Sequence, residues 1–318
     1  MINTLKGFTT FGDATVTTHV RENLISFLDY GLISKSGFIN VEIPSTGYYG
    51  GNDHQLRPVN DPRYANGQVW EGFRSNWVWE SGIGALTSND NAYPGVSGVY
   101  IDSTFYPVST TGENSHYINH PLGRVIFDSP ISTSSTVECN FSYKYVNVSR
   151  VDGLEWFKQV QQNSERSDSS NFINNSGEWG ILGDNRFQLP AIGIEIRNSR
   201  KVNSFALGGG KFVFTDFLFH CVAEDVYTRD HLMDIISLQE GKVLQSYDLN
   251  DISTNNKFPL DYRGVPVSGA LTYPSLVSTY EGNRIRLIEP NIDSVYSITP
   301  NVHIGTVKLK TEVLIFGE

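Results

Sequence analysis

At 318 residues the chain is long enough to bury a full core and to hold about two domains, and 39% hydrophobic residues exclude a disordered polymer. Twenty-four lysines and arginines against 34 aspartates and glutamates leave a formal charge of −10. That balance argues against a general nucleic-acid binder, which needs positive surface to displace counterions.

Residues 1–16 carry little pattern and read as an arm or a first strand. No charged region followed by an apolar stretch opens the chain, and no run approaches the roughly 18 apolar residues of a membrane span, so neither a secretion signal nor a membrane helix is expected. A helix follows, capped by Thr18, striped by Val20, Leu24, Phe27 and Leu28, and stopped at Gly31. Ile39, Val41 and Ile43 alternate as a strand up to Pro44. From Ser45 to Gly98 aromatic residues are interleaved with Gly, Asn, Asp and Arg without a clean period, which reads as a long irregular excursion. Within it, short strands are expected at Gln68 to Phe73 and Trp77 to Glu80.

Val99 to Val108 reads as a hairpin turning at Asp102-Ser103. Leu122 to Val148 then reads as strand, Ser/Thr-rich turn, strand, with the two strands paired. In it Val125 and Phe127 share one face. Val137, Cys139, Phe141, Tyr143 and Tyr145 form a buried row, and Glu138, Asn140, Ser142 and Lys144 form a wet one. Asp152 and Glu155 resemble a capping box opening a second helix, which fades into the Ser/Asn-rich segment from Asn163 to Glu178.

Past Trp179, Ile192, Ile194 and Ile196 alternate, Gly208 to Gly210 marks a turn, and Lys211 to Ala223 is apolar enough for a central strand. A third helix is expected with Thr228 as cap and Leu232, Ile235 and Ile236 as stripe. The last strands are Arg284 to Ile288, Val295 to Ile298 and Val307 to Phe316. In the final one Val307, Leu309, Thr311, Val313 and Ile315 share the buried face. The expected fold is mainly β, with sandwich-like antiparallel sheets, about three short helices and long loops. It divides into an N-terminal arm and helix (1–36), a β-rich lobe with the aromatic excursion (37–162), a polar linker (163–178) and a second β-rich lobe with one helix (179–318).

Signs of catalysis are weak. Gly82-Ile-Gly84 and Gly208 to Gly210 lack the further residues of a phosphate loop, and there is no Gly-x-Ser-x-Gly elbow. His116 and His120 are four apart in a non-helical context, a poor metal pair, and His220 reads as a hydrogen-bonded core histidine. Cys139 and Cys221 sit in apolar runs and read as buried thiols, a disulfide between them being the lesser alternative. No cofactor or metal is expected. Tyr48, Tyr49, Trp70, Phe73, Arg74, Trp77 and Trp79 have three readings: a small core beneath the long loop, an interface, or stacking platforms for sugar. Glu71 and Glu80 flank the tryptophans in the way a glycosidase would require.

Gly123, Val125, Phe127, Pro130, then Val137, Phe141, Tyr143 and Tyr145 resemble a sandwich element common in structural proteins of tailed bacteriophages. The hairpin from Val99 to Tyr106, the opening at Val20-Arg-Glu-Asn-Leu, Trp70-Glu-Gly-Phe-Arg74 and Trp77-Val-Trp79 strengthen the likeness, which spans about half the chain. The resemblance implies a non-enzymatic virion protein, assembled in the bacterial host cytoplasm. It would form rings with copies of itself at the neck or tail, and touch portal or adaptor proteins on one side or tail tube and sheath on the other. Sequence-specific nucleic-acid binding is not implied, only passive passage of DNA.

Overall fold

The computed structural model describes residues 10–44, 52–80, 83, 85, 95–151, 160–161, 187–205, 210–300 and 302–315. Among the described residues strand makes up 43% and helix 18%, the strands arranged in several antiparallel sheets, so the fold is mainly β as the alternation predicts.

Helix α1, Val16–Ile33, buries Val20, Leu24 and Leu28. Its cap is Thr15 rather than Thr18: the Thr15 side chain accepts from the Thr18 amide. Gly31 lies inside the last turn. The chain leaves the helix through Ser36, at φ 64°, and Gly37, where a Cβ would stand 2.7 Å from the Leu32 carbonyl oxygen.

The N-terminal half then builds three small sheets. Strands β1 (Phe38–Val41), β2 (Arg57–Pro58), β3 (Val69–Glu71), β4 (Gly98–Ile101), β5 (Thr104–Pro107), β6 (His116–Asn119), β7 (Arg124–Phe127), β8 (Val137–Glu138) and β9 (Phe141–Lys144) form the sheets β2-β3-β7-β6, β5-β4-β8 and β1-β9. Asp102 and Ser103 carry the positive φ values, 47° and 71°, that a tight hairpin turn between β4 and β5 demands. The expected pairing across the Ser/Thr turn does not occur: β7 lies beside β3 and β6, while β8 joins β4 and β9 joins β1. Val125, Phe127, Val137, Cys139, Phe141 and Tyr143 still meet, because they enter one core from different sheets. Trp77 to Glu80 forms no strand; Trp77 makes an isolated bridge to Tyr143.

The second half is one six-stranded sheet, with a two-stranded parallel pair, β11 (Val160–Gln161) and β12 (Phe187–Gln188), before it. Its strands are β10 (Asn147–Arg150), β13 (Ala191–Ser204), β14 (Lys211–Ala223), β15 (Val243–Tyr247), β16 (Glu281–Thr299) and β17 (Val302–Ile315), in the order β10-β13-β14-β17-β16-β15. Only β10 runs parallel to its neighbour. The two strands expected at Arg284 to Ile288 and Val295 to Ile298 are a single strand. Pro290, which cannot donate to a ladder, is accommodated in a register shift between Ile288 and Asn291.

One face of this sheet is covered by α1 and by helix α2 (Val226–Ser237), whose Leu232, Met233 and Ile236 join Phe217, Phe219 and Val307 in the core. The cap of α2 is Asp225 rather than Thr228; Asp225 accepts from both the amide and the hydroxyl of Thr228, each at 2.7 Å. Gly305 on β17 lies against α2, where a Cβ would fall 1.9 Å from the Met233 sulfur. The segment between β15 and β16 contains two further short helices, α3 (Leu249–Thr254) and α4 (Tyr273–Thr279). Asn23 of α1, fully buried, acts as a surrogate strand for the end of β15: its oxygen accepts from the Tyr247 amide at 2.9 Å and its Nδ2 donates to the Tyr247 carbonyl at 3.1 Å. The helix expected from Asp152 lies outside the described residues. Cys139 and Cys221 are free and buried in separate cores. Among the described residues no helix is long and apolar enough to cross a membrane.

Candidate functional site

The six-stranded sheet is curled into a half-barrel. The curl brings Arg197 on β13 within 3.7 Å of Asp293 on β16, although β14 and β17 lie between those strands. Three register shifts in β16 and one in β13 add local twist of the kind that bends a sheet. The outer strands are covered over only part of their length. β10 pairs with Ala191 to Ile194, which leaves β13 from Glu195 to Ser204 with no outer neighbour among the described residues. β15 pairs with Glu281 to Arg286, and the turn at Gly241-Lys242 closes on Leu287, which leaves β16 from Asn291 to Thr299 open in the same sense. Ile292, Val295, Tyr296 and Ile298 are each about half exposed along that stretch. Backbone edges and apolar side chains left open together are the material of strand-to-strand association.

The aromatic excursion is built differently. Trp70, Phe73, Arg74 and Trp77 are 1–3% exposed and present no surface to a ligand. The Trp77 ring stacks on Phe141 at 4.4 Å, and its Nε1 donates to the Arg74 carbonyl. Trp79 is half-buried; Tyr48 and Tyr49 lie outside the described residues. The segment from Arg74 to Trp77 joins the N-terminal core to the start of the six-stranded sheet. The Arg74 guanidinium donates to the carbonyls of Leu189 and Tyr145, Ser75 donates to the Gln188 side chain, and Asn76 bonds Asn147. Aromatic and Arg enrichment marks a buried contact here, but one inside the subunit.

Glu71 and Glu80 do not face each other across a cleft. Glu71 accepts from Arg124 Nε at 2.6 Å, and Arg124 also reaches Asp61 at 3.4 Å. Glu80 is held by Lys144 Nζ at 2.6 Å, and the same ammonium meets Asp29 of α1 at 2.5 Å. Lys144, read as part of the wet face, is buried for this reason, and Ser142 of the same row is buried with its hydroxyl donating to Asn40 at 2.7 Å. The polar partner of Lys144 arrives from a helix more than a hundred residues upstream, which no local pattern could reveal.

The described histidines act in structure. His116 contacts the Asn114 carbonyl and packs on Phe127; His120 contacts the Gly264 carbonyl. His220 is buried between Thr306 at 3.1 Å and Glu195 at 2.9 Å. This row has the order of a hydroxyl–imidazole–carboxylate relay. Its hydroxyl, however, is itself buried within β17 at 4% exposure, where no substrate reaches it. Among the described residues no group of three or more His, Cys, Asp or Glu side chains is arranged to hold a metal.

His120 gives the site region a pH dependence. Burial pushes its imidazole down to about 4 from the ordinary value of 6.5. A histidine whose folded pKa is lowered contributes stability that is complete above pH 6.5 and is lost as pH falls toward 4. The loss by pH 4 is about 3 kcal/mol, from roughly 1.36 kcal/mol per unit. Urea unfolding at pH 7 and pH 4 should show that drop in the wild type and a smaller one in His120→Gln; equal drops in both would remove the assignment.

No protein-family model matches the chain, and no curated protein matches it either.

Proposed function

We propose that the chain is a non-enzymatic structural protein of a tailed-phage virion, working as an oligomeric ring subunit at the neck or along the tail. The observation that carries the reading is the half-barrel sheet, open along part of each outer strand among the described residues. A curled sheet with two open sides lacks its complement, and further copies of the same sheet provide one. The resemblance of the segment from Gly123 to Tyr145 to virion sandwich elements supplies the biological setting. The net charge of −10 suits a wall past which DNA must slide without being gripped. Neighbouring virion proteins, on the portal or adaptor side or on the tube or sheath side, would dock on the faces of the ring.

Size-exclusion chromatography with light scattering on the purified chain tests this directly. A single species at a whole multiple of 35.5 kDa, seen as rings or short tubes by electron microscopy, is the expected result. A chain that remains monomeric up to roughly millimolar concentration, a thousandfold above a micromolar interface, overturns it.

A second reading, a carbohydrate- or receptor-binding tail module, draws on a surface that the tryptophan cluster did not anticipate. Tyr262 is 96% exposed, and the Arg263 guanidinium lies 5.8 Å from its ring and 5.2 Å from that of Tyr117, whose hydroxyl is 3.1 Å from that of Tyr64. Asp261 holds the arginine from behind at 2.9 Å. Exposed rings beside a fixed guanidinium can stack on sugar and bond its hydroxyls. Binding on a glycan array that Tyr262→Ala abolishes would favour this module over the ring.

A further inference from the structure

The two open stretches of the half-barrel differ in charge, and this determines which one meets which. Along β13 from Glu195 to Ser204 stand Arg197, Arg200 and Lys201 against the single Glu195. Along the open part of β16, Asn291 to Thr299, stands Asp293 and no lysine or arginine; Glu289, just before it, is held by Lys310 of β17. Both open stretches carry exposed apolar side chains, Val202 at 51% on β13 and Ile292 at 54% on β16 among them.

We propose that the open part of β16 in one copy pairs, antiparallel, with the open part of β13 in the next copy. This rests on the ring reading above and names the contact that builds the ring. Two β16 edges would set Asp293 against Asp293 with no cation between them, and two β13 edges would set three cations against three. Like charges directly opposite in a strand pair are destabilising and opposite charges favourable, so the contact is heterologous. Strand direction agrees. β13, β14, β17 and β16 alternate in direction, so a second β13 in the same orientation lies antiparallel to the first copy's β16 and continues the alternation.

The open parts also fix a stagger. Ser204 is level with Lys211 and Ile315 at one end of the sheet, whereas Ser297 is level with His303 and Ala223 at the other. Bringing them together shifts each copy along the strand direction relative to the last. Strands in such an assembly are tilted from its axis, as closure of a barrel requires. Pro290 has no N–H to give, so the ladder starts at Asn291 and runs toward Thr299. The internal Arg197–Asp293 contact, at 3.7 Å between side chains 49% and 44% exposed, is the weak kind of ion pair that yields to a closer partner.

Charge reversal tests the contact without touching the cores. One variant carries Arg200→Glu and Lys201→Glu; the other carries Asn291→Lys and Asp293→Lys. Each alone should fall to monomer in light scattering, with association weakened at least about tenfold, while keeping the wild-type thermal transition. An equimolar mixture should assemble again, because every contact in an alternating ring then joins unlike charges. If wild type and both variants assemble equally, the edge assignment fails while the ring reading stands. If each variant is monomeric and the mixture stays so, the edges do not meet each other and the assignment fails as well. A wild-type chain that never assembles sinks the ring reading and this contact with it.

Discussion

Lys144→Ala is expected to destabilise the subunit by about 3–5 kcal/mol, the cost of removing one member of a buried ionic cluster and leaving its partners uncompensated. The ammonium sits 2.5 Å from Asp29 and 2.6 Å from Glu80, and the lysine is 7% exposed. Without it two carboxylates face one another with no cation between them. The same geometry predicts the opposite response at Asp29. One cation serves two anions, and burial, with Glu80 beside it, holds the Asp29 carboxyl above its ordinary value. A raised carboxyl favours the folded state only while protonated, so its contribution is lost as pH rises through that pKa. Asp29→Asn removes the surplus charge and leaves a one-to-one pair of Lys144 and Glu80. It should therefore change stability at pH 7 by less than about 1 kcal/mol, in either direction. Guanidinium unfolding of the two variants separates the cases. A Lys144→Ala cost no greater than that of Asp29→Asn would mean that the cluster is not held as an ionic unit.

How far the sequence foretold this architecture depends on whether a feature is local. Period-two alternation exposed the core face of β17, and Val307, Leu309, Thr311 and Val313 are indeed buried. The α1 stripe was equally plain, since Val20, Leu24 and Leu28 recur at helical spacing. Alternation says which side chains go inward but not which strand lies alongside. β7 and β9 were therefore expected to pair, whereas they face each other across a core from separate sheets. The caps were off by one turn or less because Thr15 and Thr18, or Asp225 and Thr228, are chemically equivalent choices, and backbone geometry alone picks between them. The open edges were invisible for a deeper reason. β13 alternates and β14 is nearly continuously apolar, which marks β14 as central, but nothing in either tells how much of its length a neighbour will cover. Segments outside any regular period, such as Leu249 to Thr254, folded because Asp248 caps them rather than because they are amphipathic.

Arg74→Ala should cost a comparable amount, on the order of 3–5 kcal/mol, and should change how the molecule unfolds. The side chain is 1% exposed, and its guanidinium bonds the Leu189 carbonyl at 2.8 Å and the Tyr145 carbonyl at 3.1 Å while lying 5.0 Å from the Tyr143 ring centre. Those carbonyls belong to the approach to the six-stranded sheet, and the ring belongs to the N-terminal core. The arginine therefore fastens one to the other. Alanine removes the guanidinium from the buried Leu189 carbonyl and the part-buried Tyr145 carbonyl and leaves a large void beside Tyr143. Lysine keeps the charge but has no planar fork to reach two acceptors in fixed directions, so Arg74→Lys should recover only part of the loss. Gly123 reinforces the point: at φ 64° it lies where a Cβ would stand 2.4 Å from the Arg74 carbonyl, so the turn beneath the arginine tolerates no side chain either. Of the five tryptophans, Trp70 and Trp77 are buried in the N-terminal core and report on it by fluorescence, whereas far-ultraviolet dichroism is dominated by the long strands of the sheet. In the wild type the two signals should change together in denaturant. In Arg74→Ala the fluorescence transition should come first, because the fastening fails before either core does. Coincident transitions at the wild-type midpoint would show that the two cores are held together by something other than this side chain.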